Sequence, residues 1–512
     1  MNNELKGKVS TVLALALCLG CLTACKDAQG TQDISAQAAT LESGTSLGEN
    51  MKNYSLFPTT ENSFVGDPMP FYDKGKFHVF YLEDLRDGTT GYHPWSLYDT
   101  SDFTDYKYKG KAIPFGNDIK DQDIALGTGS VIKAKDGTYH AFYTGHNDTY
   151  EPKEAIMHAT SKDMKKWTKQ PNDTFYAGDN YAKNDFRDPY VLYDKDEEQY
   201  WMLVSTRNEK TGVLAKYTSK DLKTWKDEGV FFENDLGSDS NLECSSLVKY
   251  KGKWYLAFSD QWPNKQVHYR VSDKKSGPFE KPKAETFDGN GFYAGRLETD
   301  GKNLYVFGWN PTKNQHVDSE EYNWGGNLVV HQLKQDGQGH LHPILNEAID
   351  DKLSKQLELT PLLMTKTVKK DENSYAFAGK EYEVVKFEKL LGSYKLEATF
   401  KDFKKNGKFG FTFDMNDDAT GNLNVVFDVK NKRIDFYNTN EIYKEDPQTS
   451  VDFDFDGVDK VKVRALISDG VVSFYVNGNC ALTTRMYQSQ GTEWGIFGIK
   501  SDFTCENVNI YK

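Results

Sequence analysis

Five segments of this chain repeat one plan, and that repetition limits the available folds more than any other feature. Each opens on a short motif, runs on as an apolar strand, turns, and returns as an aromatic strand. They are "GDPMPFYDKGKFHVFYL" from Gly66, "GTGSVIKAKDGTYHAFYTG" from Gly127, "RDPYVLYDKDEEQYWMLVS" from Arg187, "ECSSLVKYKGKWYLAFSD" from Glu243 and "AGRLETDGKNLYVFGW" from Ala294. The starts are roughly 50 to 60 residues apart, the scale of a propeller blade. The turns "DKGK", "KDGT", "DKDEE", "KGK" and "DGK" each join two strands as a hairpin. A second shared element follows: "TSDFTDY" from Thr100, "TSKDMKKW" from Thr160, "TSKDLKTW" from Thr218 and "VSDKKSGPF" from Val271. Each ends a third strand and turns into an outer one. The expectation is an all-β chain with a five-bladed β-propeller over residues 56–345.

In a propeller the first strand of each blade lines the central axis. Residues at its entrance therefore converge, however far apart they lie in sequence. Here they are Asp67, the "GTGS" turn, Asp188, Glu243 and the "FYAGR" turn. Singly they are ordinary: an Asp-Pro turn, an Arg187–Asp188 surface pair, a solvated strand end. Three acids at matching blade positions are different. Like charges brought together cost energy and raise one another's pKa values, so such a cluster points to function. Paired carboxylates suit glycoside hydrolysis, one giving a proton to the leaving oxygen and the other attacking or activating water. Arg187 is expected to keep Asp188 ionised. Glu243 faces an apolar strand, and desolvation there would raise its pKa as a general acid requires.

These residues carry a family resemblance. The "GDP" around Asp67, "FRDP" from Phe186 and "EC" at Glu243 resemble the three acidic motifs of glycoside hydrolase family 32, the β-fructosidases. "GTGS", with Gly129 and Ser130, is similar to that family's FSGS turn. "FYAGR" from Phe292, "FGWNP" from Phe307 and "WGGNLVVHQL" from Trp324 resemble three further motifs in the same order. The likeness runs from about Phe64 to about Pro343. It implies Asp67 as nucleophile, Glu243 as acid/base and Asp188 as transition-state stabiliser. It also implies retention through a covalent fructosyl-enzyme, with Asp67 and Glu243 about 5 Å apart, and no metal or cofactor. The chain departs from the family pattern at Gly66, where Asn is usual, at Met69–Pro70 in place of Asn-Gly, at Leu82 in place of Gln and at Ser245 in place of Pro. The polar surroundings of the nucleophile are thinned, so the glycan need not be sucrose or inulin.

Arg187, Gly129, Ser130 and the aromatic residues Trp95, Tyr293, Trp309 and Trp324 are the expected substrate contacts. Trp262 is similarly placed, and His93 in "GYHPW" is a further candidate beside a plain loop role. The partner is thus a carbohydrate, a fructoside or fructan. A formal net charge of −13 argues against nucleic acid.

Asn346–Leu359 has helical spacing and reads as a connector over 346–360. Residues 361–512 alternate as short strands between Gly, Asn and Asp turns, the pattern of a β-sandwich. No acidic cluster marks it, so it reads as a packing domain that stiffens the propeller. At the other end, Lys6 and Lys8 precede an apolar run that closes on "LTAC". The run is short for a spanning helix and resembles a lipoprotein signal over 1–24, with Cys25 lipidated. Residues 25–55, rich in Ser, Thr, Gln, Ala and Gly, read as a tether to the outer face of a bacterial membrane. Cys480 and Cys505 are open to pairing or to remaining thiols. Two other functions stay open on sequence: an inverting arabinan- or xylan-type hydrolase of the same propeller shape, and a surface glycan-binding lipoprotein without activity.

Overall fold

The structure is a computed structural model that describes residues 36–38, 55–60, 62–86, 92–261, 265–442 and 444–512. The expected signal at 1–24, the lipidated Cys25, most of the expected tether and Trp262 lie outside the described residues. Within the tether, Ala36–Ala38 is a strand, and it pairs with Leu363–Thr365.

The described chain is nearly all β. Its N-terminal part is built from antiparallel strand groups in sequence order. The first comprises Phe64–Asp73, Lys76–Asp84, Trp95–Thr100 and Tyr106–Ile113. The second runs Ala125–Lys133, Tyr139–His146, Glu154–Ser161 and Thr168–Lys169. The third runs Phe186–Asp194, Gln199–Arg207, Gly212–Ser219 and Lys226–Glu233. Leu242–Tyr250, Lys253–Asp260 and Val267–Ser272 form the fourth. Here "VSDKKSGPF" does not open a fourth strand: the outer position is reduced to two isolated bridges, Val271 to Glu280 and His268 to Thr286. The last group is Tyr293–Thr299, Leu304–Lys313 and Tyr322–Gln335, with Leu341–Ile344 at its edge. A single pair, Gly326 with Val65, joins this group to the first.

The first strand of each group packs against the first strand of the next, and Tyr293–Thr299 packs back against Phe64–Asp73. Second strands are buried along most of their length, as in Gln199–Arg207 and Lys253–Asp260, which is why they read as continuous apolar runs. The Lys74–Gly75 and Lys251–Gly252 turns both take positive φ, which Gly adopts freely and which sets the hairpin register.

Glu347–Lys352 is the connector helix, shorter than its sequence pattern suggests. Asn346 caps it, its side-chain oxygen accepting the Ala348 N–H at 3.0 Å. The helix stops where Leu353 is buried, and Gln356–Leu357 pairs instead with the C-terminal strand. Beyond it two antiparallel sheets share one apolar cluster that includes Phe400, Phe411, Phe427, Phe474 and Trp494. Strands within 361–387 and the closing strand Asp502–Tyr511 escaped the sequence reading. Their apolar residues are interrupted by Lys, Glu and Asn, which weakens the alternation. Cys480 and Cys505 are both free thiols.

Candidate active site

All five first strands are broken at the same place. Their register with the second strand slips between Gly66 and Met69, Leu126 and Gly129, Arg187 and Tyr190, Glu243 and Ser246, and Tyr293 and Arg296. Each slip leaves two residues outside the ladder, as a β-bulge does, and re-aims their side chains. Four of the bulges turn on a left-handed residue: Asp67 (φ 30°), Asp188 (56°), Cys244 (54°) and Ala294 (53°). Asp tolerates that conformation comparatively well. The bulge also explains the Asp-Pro pairs. Pro68 and Pro189 stand where no ladder N–H is needed, so the missing donor costs nothing.

The bulges correct one expectation. Asp67 and Asp188 are equivalent, but the matching residue of the fourth strand is Cys244. Glu243 stands one place earlier, level with Gly66, Arg187 and Tyr293. The three acids reach a common cavity from two register positions, because the side chain before a bulge and the one on it are both turned toward the same end of the strands.

That cavity has a volume of about 990 Å³, and its lining includes Asp67, Asp188, Glu243, Arg187, Tyr293 and Trp324. Both oxygens of Asp67 are held. The Trp309 indole N–H donates to Oδ1 at 3.0 Å and the Thr128 hydroxyl to Oδ2 at 2.8 Å. Burial pushes the Asp67 carboxyl up to about 6, and the nearby Asp188 charge adds to the rise. Asp188 is buried; its Oδ2 accepts the Cys244 backbone N–H at 2.9 Å, and its own N–H donates to Thr144 Oγ1 at 2.9 Å.

Glu243 accepts from the Tyr293 hydroxyl at 2.6 Å on Oε2 and from Gln261 Nε2 at 3.0 Å on Oε1. Burial pushes it up to about 7, against the pull of Arg187, whose Nε lies 3.8 Å from Oε1. The expected Arg187–Asp188 pairing is corrected. Arg187 donates to Glu154 Oε1 at 2.9 Å and to Asp185 and pairs with Glu243, so its bonds and ion pairs go to these three, and Asp188 acts on it only through its charge.

The aromatic candidates separate. Trp324 lines the cavity with its ring stacked on His93 at 4.5 Å. Tyr293 lines it as the hydroxyl donor to Glu243. Trp309 is 1 % exposed, so it offers the site an N–H and no open face. Trp95 is corrected outright: it is 0 % exposed, its N–H donates to the Gly127 carbonyl, and it packs beneath the wall. Gly129 and Ser130 are corrected likewise. The Gly129 carbonyl accepts from Arg296 Nη1 at 2.6 Å, and the Ser130 hydroxyl accepts the Val191 N–H at 2.9 Å. Both are spent on packing the first strands together, and it is Gly127 and Thr128 that reach the cavity.

Two groups escaped assignment although their motifs were noticed. Thr128, inside "GTGS", was visible only as a polar residue among glycines. Arg296, inside "FYAGR", is buried, and its charge draws the Asp67 pKa down. Nothing in the local sequence marks it as a cation directed at an acid more than two hundred residues away.

The glycosyl hydrolases family 32 N-terminal domain matches residues 58–342. The levanbiose-producing levanase of Bacillus subtilis is 27% identical over 327 residues, 57% of this chain and 60% of that protein. The matched region thus spans less than two thirds of that relative. The levanbiose-producing levanase of Geobacillus stearothermophilus is 26% identical over 318 residues, 56% of this chain and 76% of its own length. Among solved structures, the exo-inulinase of Aspergillus awamori superposes with a TM-score of 0.67 at 18% identity, covering 90% of this chain and 97% of that one. The sucrose-6-phosphate hydrolase of Lactobacillus gasseri gives 0.66 at 20% identity, with 90% and 92% covered. At these identities the two structures speak for the fold.

Proposed function

Because this chain belongs to family 32 of the glycosyl hydrolases, we propose that it cleaves β-fructofuranosidic bonds in fructans or fructo-oligosaccharides by a retaining double displacement. The observation that carries the reading is a pair of carboxyls, Asp67 and Glu243, that line one cavity, are each held by two donors, and are both pushed up by burial, to about 6 and about 7. Between those values the first is ionised and the second protonated, as nucleophile and general acid must be.

Asp67 attacks the anomeric carbon of the fructosyl unit, with the Trp309 and Thr128 donors fixing its plane. Glu243 gives its proton to the leaving oxygen as that bond breaks. The ionised Glu243, steadied by Arg187 and Tyr293, then takes a proton from water. That water attacks the anomeric carbon and frees Asp67, so two inversions give net retention. Asp188, held by the Cys244 N–H, faces the sugar hydroxyls and supports the positive charge that develops on the ring. The reading includes the five-bladed propeller that the repeats predict, and the cyclic packing of the five bulged strands supports it. The match to two levanases favours a fructan over sucrose.

The test is direct. The folded protein is incubated with levan, inulin, kestose, sucrose and arabinan, and products are followed by NMR from the first turnover. Release of fructose or a fructo-oligosaccharide with retained configuration is expected, and Asp67→Asn or Glu243→Gln abolishes it. An inverted first product, or cleavage of arabinan alone, overturns the proposal.

A further inference from the structure

The strand Tyr322–Gln335 carries an interruption at the edge of the cavity. Its pairing with Leu304–Lys313 runs regularly to Pro311–Gly326 and resumes at Thr312–Asn323. Trp324 and Gly325 are left without partners, and this two-residue bulge is what projects the Trp324 indole into the cavity wall. Three glycines make room for it. A Cβ on Gly66 would lie 2.4 Å from Trp324 Cη2, one on Gly325 2.7 Å from Asp84 Oδ2, and one on Gly326 1.7 Å from the Asn310 carbonyl oxygen.

A bulge of this kind frees backbone carbonyls that something must satisfy. On the cavity side Arg86 does so, its Nη2 donating to the Trp324 carbonyl at 2.7 Å and to Thr312 Oγ1 at 2.6 Å. Thr312 Oγ1 in turn donates to the Gly325 carbonyl at 3.0 Å. The strand opposite the bulge is held from the C-terminal sandwich. Arg485, at the end of the strand Cys480–Arg485, is buried. Its Nε donates to the Pro311 carbonyl at 3.0 Å, and its Nη2 to the Asn310 carbonyl at 3.0 Å and to Asn327 Oδ1 at 2.8 Å. Among the described residues it makes no ion pair. A buried cation with only neutral acceptors is a costly way to glue two domains, and an apolar side chain would do that better. What the guanidinium offers is a rigid fork that meets several oxygens at once. These three oxygens belong to the strand pair that carries Trp309 and Trp324, and Asn310 directly follows Trp309; a fourth, longer bond runs from Nη1 to the Asp469 carbonyl within the sandwich at 3.4 Å.

We propose that Arg485 is a positioning residue for the active site: through it the sandwich holds the strand opposite the Trp324–Gly325 bulge, and so keeps the Trp309 indole on Asp67 and Trp324 in the cavity wall. The inference rests on the reading of Asp67 as nucleophile and adds a role for the sandwich beyond stiffening.

Arg485→Lys keeps the charge and loses the fork, and Arg485→Met loses both. Lys395→Met serves as the control. Lys395, another buried sandwich cation, bonds Asp350 of the connector helix and does not touch the bulge. On the fructoside that the unmodified protein cleaves, both Arg485 variants are expected to lower kcat roughly 10- to 100-fold and to move the acid limb of the kcat/KM profile upward, with Lys the milder. Lys395→Met moves only the melting temperature. In tryptophan-labelled protein, the Trp309 indole N–H resonance, assigned by its loss in Trp309→Phe, titrates with Asp67. In the Arg485 variants it loses that titration or broadens. Arg485 variants that melt earlier but keep the acid limb and the Trp309 titration overturn the proposal. If Arg485→Met does not fold, Arg485→Lys decides. If no fructoside is cleaved at all, the functional reading fails while the indole resonance still decides the role of Arg485.

Discussion

Replacing Trp309 by Phe removes one hydrogen bond from Asp67 and leaves the other, from Thr128, in place. The consequence follows from the two raised carboxyls. In the intact protein kcat/KM is expected to be bell-shaped, with an acid limb near 6 from Asp67 and an alkaline limb near 7 from Glu243. Midway between them about half of the molecules carry the productive pair of protonation states. The Trp309 N–H stabilises only the ionised form of Asp67. A hydrogen bond to a charged group contributes roughly 1.5–3 kcal/mol, and about 1.4 kcal/mol moves a titration by one pH unit. Without the bond the Asp67 titration therefore rises by about one to two pH units, carrying the acid limb up with it as far as the Glu243 value. It meets or passes the Glu243 limb, and the productive fraction falls. Protonation alone then lowers the maximal kcat/KM roughly two- to tenfold, and the optimum moves alkaline. The assay is kcat/KM from about pH 4 to 9 on the preferred fructoside, with the folded fraction checked at each pH. An acid limb that stays near its original position, or moves down, would refute both the Trp309 bond and the assignment of the limb to Asp67.

The same raised carboxyls bear on stability. Asp67 has an ordinary value of 3.8 and titrates at about 6 when folded, so the folded protein holds that proton more tightly than the unfolded chain. Its cost is absent below the ordinary value, grows as pH rises through that window, and reaches about 3 kcal/mol above it. For Glu243 the window runs from 4.5 to about 7. Asp67→Asn and Glu243→Gln should therefore melt higher than the unmodified protein at pH 8 and equally at pH 4; no gain at pH 8 would show that these carboxyls are not strained by burial. At the cavity wall, Gly66→Ala is expected to displace the Trp324 ring, since its Cβ would lie 2.4 Å from it. KM should rise about tenfold or more with the pH limbs unmoved, and an unchanged KM would remove Trp324 from the substrate's path.

The acids were legible because each sits in a short distinctive motif at the head of a repeat: "GDP", "FRDP", "EC". Their relative placement was not, because an equal spacing of motifs hides a slip of one residue. Only the bulges reveal that Cys244, and not Glu243, is the partner of Asp67 and Asp188. The aromatics were legible as a class and misjudged singly. Trp95 and Trp324 look alike in sequence, yet one packs under Leu82 and Tyr143 in the wall's core while the other lines the cavity. What separates them is whether neighbouring strands cover the indole, and that is decided by residues far away in the chain.

By itself the sequence determined the alternation of strands, the repeat, the all-β character, the motif acids and the expectation of export with Cys25 as anchor. These depend on local pattern: side-chain period, turn chemistry and the spacing of like units. Only the tertiary structure decided which donors hold each carboxylate and how far burial raises it. It alone shows that the charge of Arg296 reaches Asp67 and that Arg485 crosses from the sandwich to the strand that carries Trp309. Those are long-range facts. A pKa is set by the dielectric and the charges within a few ångströms, and here those neighbours come from strand groups far apart in sequence whose first strands pack against one another.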